Sequence, residues 1–425
     1  MMPDLSHPRL LLFTFLFLTM HTHAQVDQAR MNPSLVITPG ADRISAYLPL
    51  LKNKRIAIYA NQTSQVGGKH LVDTLIKLGI NIRVIFGPEH GFRGTADAGE
   101  ELSNAVDKKT GIPVVSLYGN KTAPSAEDLS GIDWIVFDIQ DVGARFYTYI
   151  SSLQKCMESA FVNNTPMMIL DRPNPNGFYI DGPVLEKAYR SFVGMQSVPV
   201  VYGMTIGEYA LMIAGEHWLS PEANARYDLF RTGADTTLHF QVIPCENYDH
   251  NSRYELPVKP SPNLPDMASV WCYPSTCFFE GTILSEGRGT ERPFQIFGHP
   301  SLPKNLQAFT PVSRPGAKDP KLKDQLCYGW DIGGTNDDVM KRINGRIQIK
   351  WLLEAYRSFP DKNAFFPMPK SGRTEDQYFH KLAGNMTLMD QVRNGLAEEE
   401  IRESWQPGIE AFKKIRKKYL LYADF

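Results

Sequence analysis

The sequence predicts an α/β fold, a Rossmann-like, doubly wound and mostly parallel sheet followed by a smaller α+β C-terminal domain. Three observations carry this expectation. Short, nearly continuous apolar runs of strand length recur through the first 250 residues. Helix-like stretches separate them, as a parallel sheet covered on both faces requires. Beyond residue 251 the texture changes to proline- and glycine-rich loops and helices.

Taken in order, residues 55–60 (RIAIYA) read as the first strand and 70–78 as a helix. Residues 81–86, 113–117, 134–138 and 167–171 supply further strands, with a helical stretch at 147–161 before the last of these. Residues 205–218 read as a helix. Thr205 is its cap, and Glu208 three residues on completes a capping box. Residues 239–243 form one more strand. Pro257, Pro260, Pro262, Pro265 and Pro274 then crowd a stretch that reads as ordered loop or linker. Residues 344–358 and 389–419 read as helical. The basic, aromatic run in which this stretch ends (KKIRKKYLLY) reads as a solvated face with its Tyr and Leu side chains packed inward, in preference to a membrane-binding one.

At the beginning, Arg9 precedes an apolar run at 10–18, and Thr22, His23 and Ala24 make a small-x-small cleavage pattern. Residues 1–24 are therefore expected to be an export signal, residues 31–250 the sheet domain, and residues 251–425 a domain that completes a cleft. The run is too short to span a bilayer stably, and no later segment reaches about 18 consecutive apolar residues. A periplasmic or secreted protein without stable membrane insertion is expected. A formal net charge of -1 argues against a general nucleic-acid binder. Five cysteines are too few for a disulfide scaffold. Cys272 and Cys277 either pair with each other or are buried thiols.

In a doubly wound sheet, ligands sit beyond the carboxyl ends of the strands. Polar loops gather at those ends here: 61–64 (NQTS), 87–94 (GPEHGFRG), 138–145 (DIQDVGAR) and 171–177 (DRPNPNG). Asp and Asn beside Gly and Pro are also ordinary turn formers, but four such loops on one edge favour a site. Glu89 is the leading candidate for a general acid, since a carboxyl group in a glycine-bounded loop can be tuned by partial burial. Its neighbour His90 either orients it or acts as a partner or ligand. Later, residues 279–294 (FEGTILSEGRGTERPF) place three carboxylates and two arginines among three glycines. Glycosidases use paired carboxylates, so Glu280 or Glu286 is a candidate partner for Glu89, and Arg288 can grip a substrate carboxylate in a fork. No G-x-G-x-x-G follows the first strand. The P-loop, the G-x-S-x-G elbow and the H-E-x-x-H helix are also missing from the sequence. No cofactor and no metal are expected.

The same loops resemble a known family. Residues 86–91 (FGPEHG), 137–149 (FDIQDVGARFYTY), 171–177 (DRPNPNG), 260–265 (PSPNLP) and 280–293, in this order, look like the exo-β-N-acetylmuramidases of the NamZ type. The likeness extends over nearly the whole chain, to residues 418–422 (KYLLY). It implies a Rossmann-like catalytic domain, a smaller C-terminal domain and a site between them. It also implies removal of N-acetylmuramic acid from the non-reducing end of peptidoglycan-derived saccharides, with Glu89 as acid or base. The lactyl carboxylate of that sugar calls for an arginine, because the wrong sugar would leave it unsatisfied. Arg93, Arg145, Arg172 and Arg288 are the candidates. Tyr147, Tyr149 and Phe92 are candidates to stack on the sugar, and Asp138, Gln140, Asp141, Asp171 and Asn174 to bind its polar groups. The 2-acetamido group can itself attack the anomeric carbon in such enzymes. Two other classes remain open at this point: a non-catalytic sugar-binding protein, and a metal-dependent hydrolase using His90, Asp138 and Asp141.

Overall fold

The computed structural model describes residues 36–89, 91–93 and 105–425. The expected export signal and His90 lie outside these. The first half contains strands β1 (Arg55–Ala60), β2 (Gln65–Val66), β3 (Lys69–His70), β4 (Asn81–Gly87), β5 (Ala105–Val106), β6 (Pro113–Ser116), β7 (Trp134–Asp138), β8 (Met167–Leu170) and β9 (Phe240–Ile243). Its helices are α1 (Ile44–Leu51), α2 (Leu71–Lys77), α3 (Tyr149–Val162), α4 (Ile206–Gly215) and α5 (Pro221–Arg231). Seven strands form one sheet in the order β5-β6-β4-β1-β7-β8-β9. Neighbours are parallel except for the β5–β6 pair. Counted in chain order, the six parallel strands run 3-2-1-4-5-6, the doubly wound order. The direction of winding reverses between β1 and β7, and a ligand crevice belongs outside their carboxyl ends.

Period-two patterning explains the core. Ile56, Ile58 and Ala60 of β1 join the cluster that packs under α1 and α2, together with Tyr47, Leu71 and Leu75. Ala57 and Tyr59 point to the other face, into a larger cluster shared with α3, α4 and residues of the second half. The second half adds α6 (Met267–Thr276), a three-stranded antiparallel sheet of β10 (Ile296–His299), β11 (Gln307–Phe309) and β12 (Cys327–Asp331), and helices α7 (Asn336–Ile343), α8 (Ile349–Ser358), α9 (Tyr378–Ala383), α10 (Thr387–Arg393) and α11 (Glu398–Arg416). Residues 37–425 form one compact unit. Among the described residues no helix is long and apolar enough to cross a membrane.

Three local expectations change. The proline-rich stretch is not loop throughout, because α6 starts at Met267 under an Asp266 cap and contains Pro274. Pro274 has no N–H for the carbonyl of Val270. The side-chain amide of Asn176 bonds that carbonyl instead, at 3.2 Å. The helix expected over 344–358 starts only at Ile349. Asn344 ends α7 in the left-handed region (φ 48°), and Gly345 follows with φ 62°. The long C-terminal helix is broken between α10 and α11, where Gly395 has φ 70°. All five cysteines are buried free thiols, including Cys272 and Cys277.

Candidate active site

A cavity of about 310 Å3 lies at the carboxyl edge of the large sheet, against residues of the second half. Glu89 enters it from the turn after β4. The Gly91 N–H closes that turn onto the Pro88 carbonyl at 2.9 Å, with Gly91 at φ 73°. Tyr147 enters from the segment between β7 and α3, and Tyr149 is the first residue of α3. The Tyr147 hydroxyl donates to the Pro260 carbonyl at 2.9 Å, and the Asn61 amide donates to the Tyr149 oxygen at 2.9 Å. Burial raises both phenols above their ordinary range, and Glu89 adds to the effect on each. They therefore remain neutral near pH 7.

From the other side come Glu280 and Arg288. Glu280 sits in the 3-10 turn Cys277–Gly281 at the end of α6. A Cβ on Gly281 would lie 2.6 Å from the Phe379 Cα, so the glycine lets α9 pack directly on this turn. That contact puts Tyr378 on the cavity wall. Glu280 Oε1 accepts from Arg288 Nη2 at 2.7 Å, and the Arg288 guanidinium lies 5.0 Å from the centre of the Phe294 ring. Phe294 lines the cavity with φ 61°, a conformation that costs a bulky residue roughly 1–3 kcal/mol. Its N–H donates to the Glu286 carbonyl at 2.8 Å, and its ring meets the edge of Tyr273 at 4.8 Å.

Glu286 itself does not line the cavity. It is 3% exposed and sits behind Arg288, with Arg288 Nε and Lys321 Nζ each 3.3 Å from one of its oxygens. Burial alone would raise its carboxyl, but Lys321 and Arg288 outweigh this and hold it below the usual range. Lys321 also donates to the carbonyls of Phe279 (2.9 Å), Thr282 (3.0 Å) and Leu284 (2.8 Å). It pins the backbone that carries Glu280. Glu286, expected as a candidate partner for Glu89, thus stands one side chain behind the cavity wall.

Most of the other predicted residues also lie outside the cavity wall, each held by the loops themselves. Arg93 pairs with Asp107 at 2.9 Å, and Phe92 packs against His70 with ring centres 4.7 Å apart. Arg172 and Asp138 form a buried bidentate pair at 2.6 and 2.9 Å. Gln140 donates to the carbonyls of Asp141 (2.8 Å) and Pro173 (2.7 Å). Asp141 accepts from the Gly143 N–H at 2.7 Å and from the Tyr202 hydroxyl. Asp171 accepts from Thr205 Oγ1 and the Gly207 N–H at the start of α4, at 2.7 and 2.8 Å. Asn174 donates to the Met204 carbonyl at 2.8 Å. Arg145, fully buried, donates to the carbonyls of Pro183, Val198, Leu382 and Ala383 at 2.8–2.9 Å, and burial lowers its pKa to about 9. For Gln140, Asp141, Asp171, Asn174 and Arg145 the physical reason is shared. Loops folded under an active-site edge bury their own backbone polar groups, and those must be satisfied internally. Asp138 and Asp141 are committed in this way, and His90, the third member of the metal-ligand set envisaged from the sequence, lies outside the described residues.

The sequence reading missed Tyr118, Phe192, Asn263, Tyr273 and Tyr378 on the wall. Tyr118 follows the carboxyl end of β6, so the rule that singled out Glu89 reaches it too. Tyr378 has no such signal, since only the packing of α9 brings it there.

Models of the exo-β-N-acetylmuramidase NamZ family match residues 56–268 (N-terminal) and 271–422 (C-terminal). The chain is 37% identical over 401 residues to the peptidoglycan β-N-acetylmuramidase NamZ of Bacillus subtilis (strain 168), covering 88% of this chain and 89% of that one. A crystal structure of a DUF1343 family protein from Bacteroides fragilis NCTC 9343 superposes with TM-score 0.79 at 42% identity, covering 92% of this chain and 100% of that one. A second DUF1343 family protein from the same organism gives 0.72 at 28%, over 91% and 99%. A sheet edge and a second half that together bring two glutamates and an arginine to one small cavity, with both family models matched in order, place this chain in the exo-β-N-acetylmuramidase NamZ family.

Proposed function

We propose that this chain is an exo-acting glycosidase that releases N-acetylmuramic acid from the non-reducing end of peptidoglycan-derived glycans. One observation carries the reading: Glu89 and Glu280, from opposite halves of the chain, line one cavity with Arg288. At about 310 Å3 it is at the small end of ligand sites, roughly 300–1,000 Å3, which suits one terminal sugar. In this reading Glu89 protonates the leaving glycosidic oxygen. Glu280, ion-paired with Arg288, places negative charge against the oxocarbenium-like transition state or guides the 2-acetamido group. Glu280 and Glu286 engage Nη2 and Nε of Arg288, which leaves Nη1 donors for the lactyl carboxylate. Tyr147, Tyr149 and Tyr378 supply neutral hydroxyls and ring faces. The apolar run at 10–18 and the small-x-small pattern ending at Ala24 support a periplasmic or secreted location.

The test is turnover of a chromogenic N-acetylmuramide beside the matching N-acetylglucosaminide. Release from the first and not the second is expected. Equal release, or binding without release, would return the protein to another class. Glu89→Gln is expected to lower kcat by about 10²–10⁴-fold while keeping the unfolding midpoint.

A further inference from the structure

This inference rests on the muramidase reading and extends it to the rest of the glycan. A second, more open cleft of about 370 Å3 lies beside the cavity, and Phe192 lines both. Phe192 sits in the tight turn from Ser191 to Gly194, whose ends exchange two backbone hydrogen bonds at 3.0 Å. The turn therefore stands as a rib between the two spaces. The cleft has an aromatic wall, Trp218, and two cations, Lys155 of α3 and Arg190. Its floor is built: the buried Gln196 amide donates to the Trp218 carbonyl at 2.7 Å and to Gln154 at 2.9 Å, and its oxygen accepts from Arg190 Nη2 at 3.1 Å. Among the described residues no carboxylate lies within ion-pair range of Arg190, while Lys155 pairs with Glu158 at 2.9 Å. The cleft thus carries one cation more than carboxylates, beside a ring on which a sugar can stack.

A cavity sized for one sugar must pass the remainder of the chain onto the adjoining surface. In peptidoglycan the sugars alternate, so the first residue beyond the scissile bond is neutral N-acetylglucosamine and the second again bears a lactyl carboxylate. We propose that the cleft between Trp218 and Arg190 is a binding site for the leaving glycan and takes the carboxylate of that second sugar.

The experiment compares kcat/KM on the disaccharide MurNAc-GlcNAc and on the tetrasaccharide (MurNAc-GlcNAc)₂, for wild type and for Lys155→Ala/Arg190→Ala. Wild type is expected to favour the tetrasaccharide by about tenfold, the worth of one charge-assisted contact. The double variant is expected to lose that preference with disaccharide turnover unchanged, which also shows that it is folded. Arg190→Glu, at an exposed position, is expected to bring the tetrasaccharide below the disaccharide. Disaccharide turnover with no tetrasaccharide preference, or variants that keep the preference, would overturn this inference alone. A wild type that cleaves neither would overturn the muramidase reading and this inference with it.

Discussion

Glu286 lies between Arg288 and Lys321, each 3.3 Å away, and does not line the cavity that Arg288 lines. Replacing it with Gln removes the charge that holds two cations in place but leaves the shape. The expected result is about a tenfold loss in kcat/KM, carried mainly by KM, set against the large kcat loss of Glu89→Gln. Steady-state kinetics on both variants separates a positioning carboxylate from one that meets substrate. Asp141 makes a different residue-scale prediction. Burial lifts its carboxyl to about 6, only partly offset by the Tyr202 hydroxyl and the Gly143 N–H. An unfolded Asp titrates near about 3.9. The folded state therefore holds the proton more tightly, and the stability this contributes is complete below about pH 4 and lost as pH rises through 6. Burial raises Asp171 to about 6 as well, so the same window applies to it. Asp141→Asn keeps an acceptor for Tyr202 and Gly143, and its amide nitrogen replaces an oxygen that is already buried without a hydrogen-bond partner. Relative to wild type, this variant is expected to gain about 1–3 kcal/mol between pH 4 and pH 7 in denaturant titrations.

At the scale of elements, the loop 171–177 acts as a joint. Asp171 receives the first turn of α4, where Thr205 and Glu208 form the capping box read from the sequence. Asn176 donates to the Val142 carbonyl at 2.9 Å and to the Val270 carbonyl that Pro274 leaves open in α6. One loop thereby ties the β7 edge, α4 and α6 together, and α6 leads directly into the turn that presents Glu280. Asn176→Ala would leave two buried carbonyls without this donor. A destabilisation of about 1–3 kcal/mol is expected, measured by chemical denaturation. Thr205 and Glu208 were legible because a cap is a local, four-residue pattern. The role of Asn176 was not, since it answers a proline 98 residues away.

Across the whole molecule, long-range stitches hold the second half against the sheet. Arg145 joins the loop after β7 to the last carbonyls of α9. The C-terminal segment closes the other side, where the Leu421 N–H donates to Glu208 at 2.8 Å and the Tyr422 hydroxyl to Asp171 at 2.5 Å. Residues 37–425 are therefore expected to unfold in one transition, with near- and far-UV signals coincident. Arg145→Lys is expected to cost about 2–4 kcal/mol, since one ammonium cannot span four carbonyls. It should leave KM unchanged, because Arg145 is fully buried and does not line the cavity. The strands, the α4 cap and the first glutamate were legible because strand patterning, capping and the carboxyl-edge rule are local or topological. The α4 cap and the bounds of β1 follow from a handful of adjacent residues. What the chain alone did not reveal is which polar groups remain for a ligand. Arg145, Asp138, Asp141 and Asp171 look like binding groups in a linear text, yet burial forces them to satisfy neighbours that only folding brings near. Glu280 and Arg288 reach the cavity, and Glu286 stops one side chain short, because α6, α9 and Lys321 set the turn between them. That decision is made by contacts far apart in sequence, where desolvation and pairing act together.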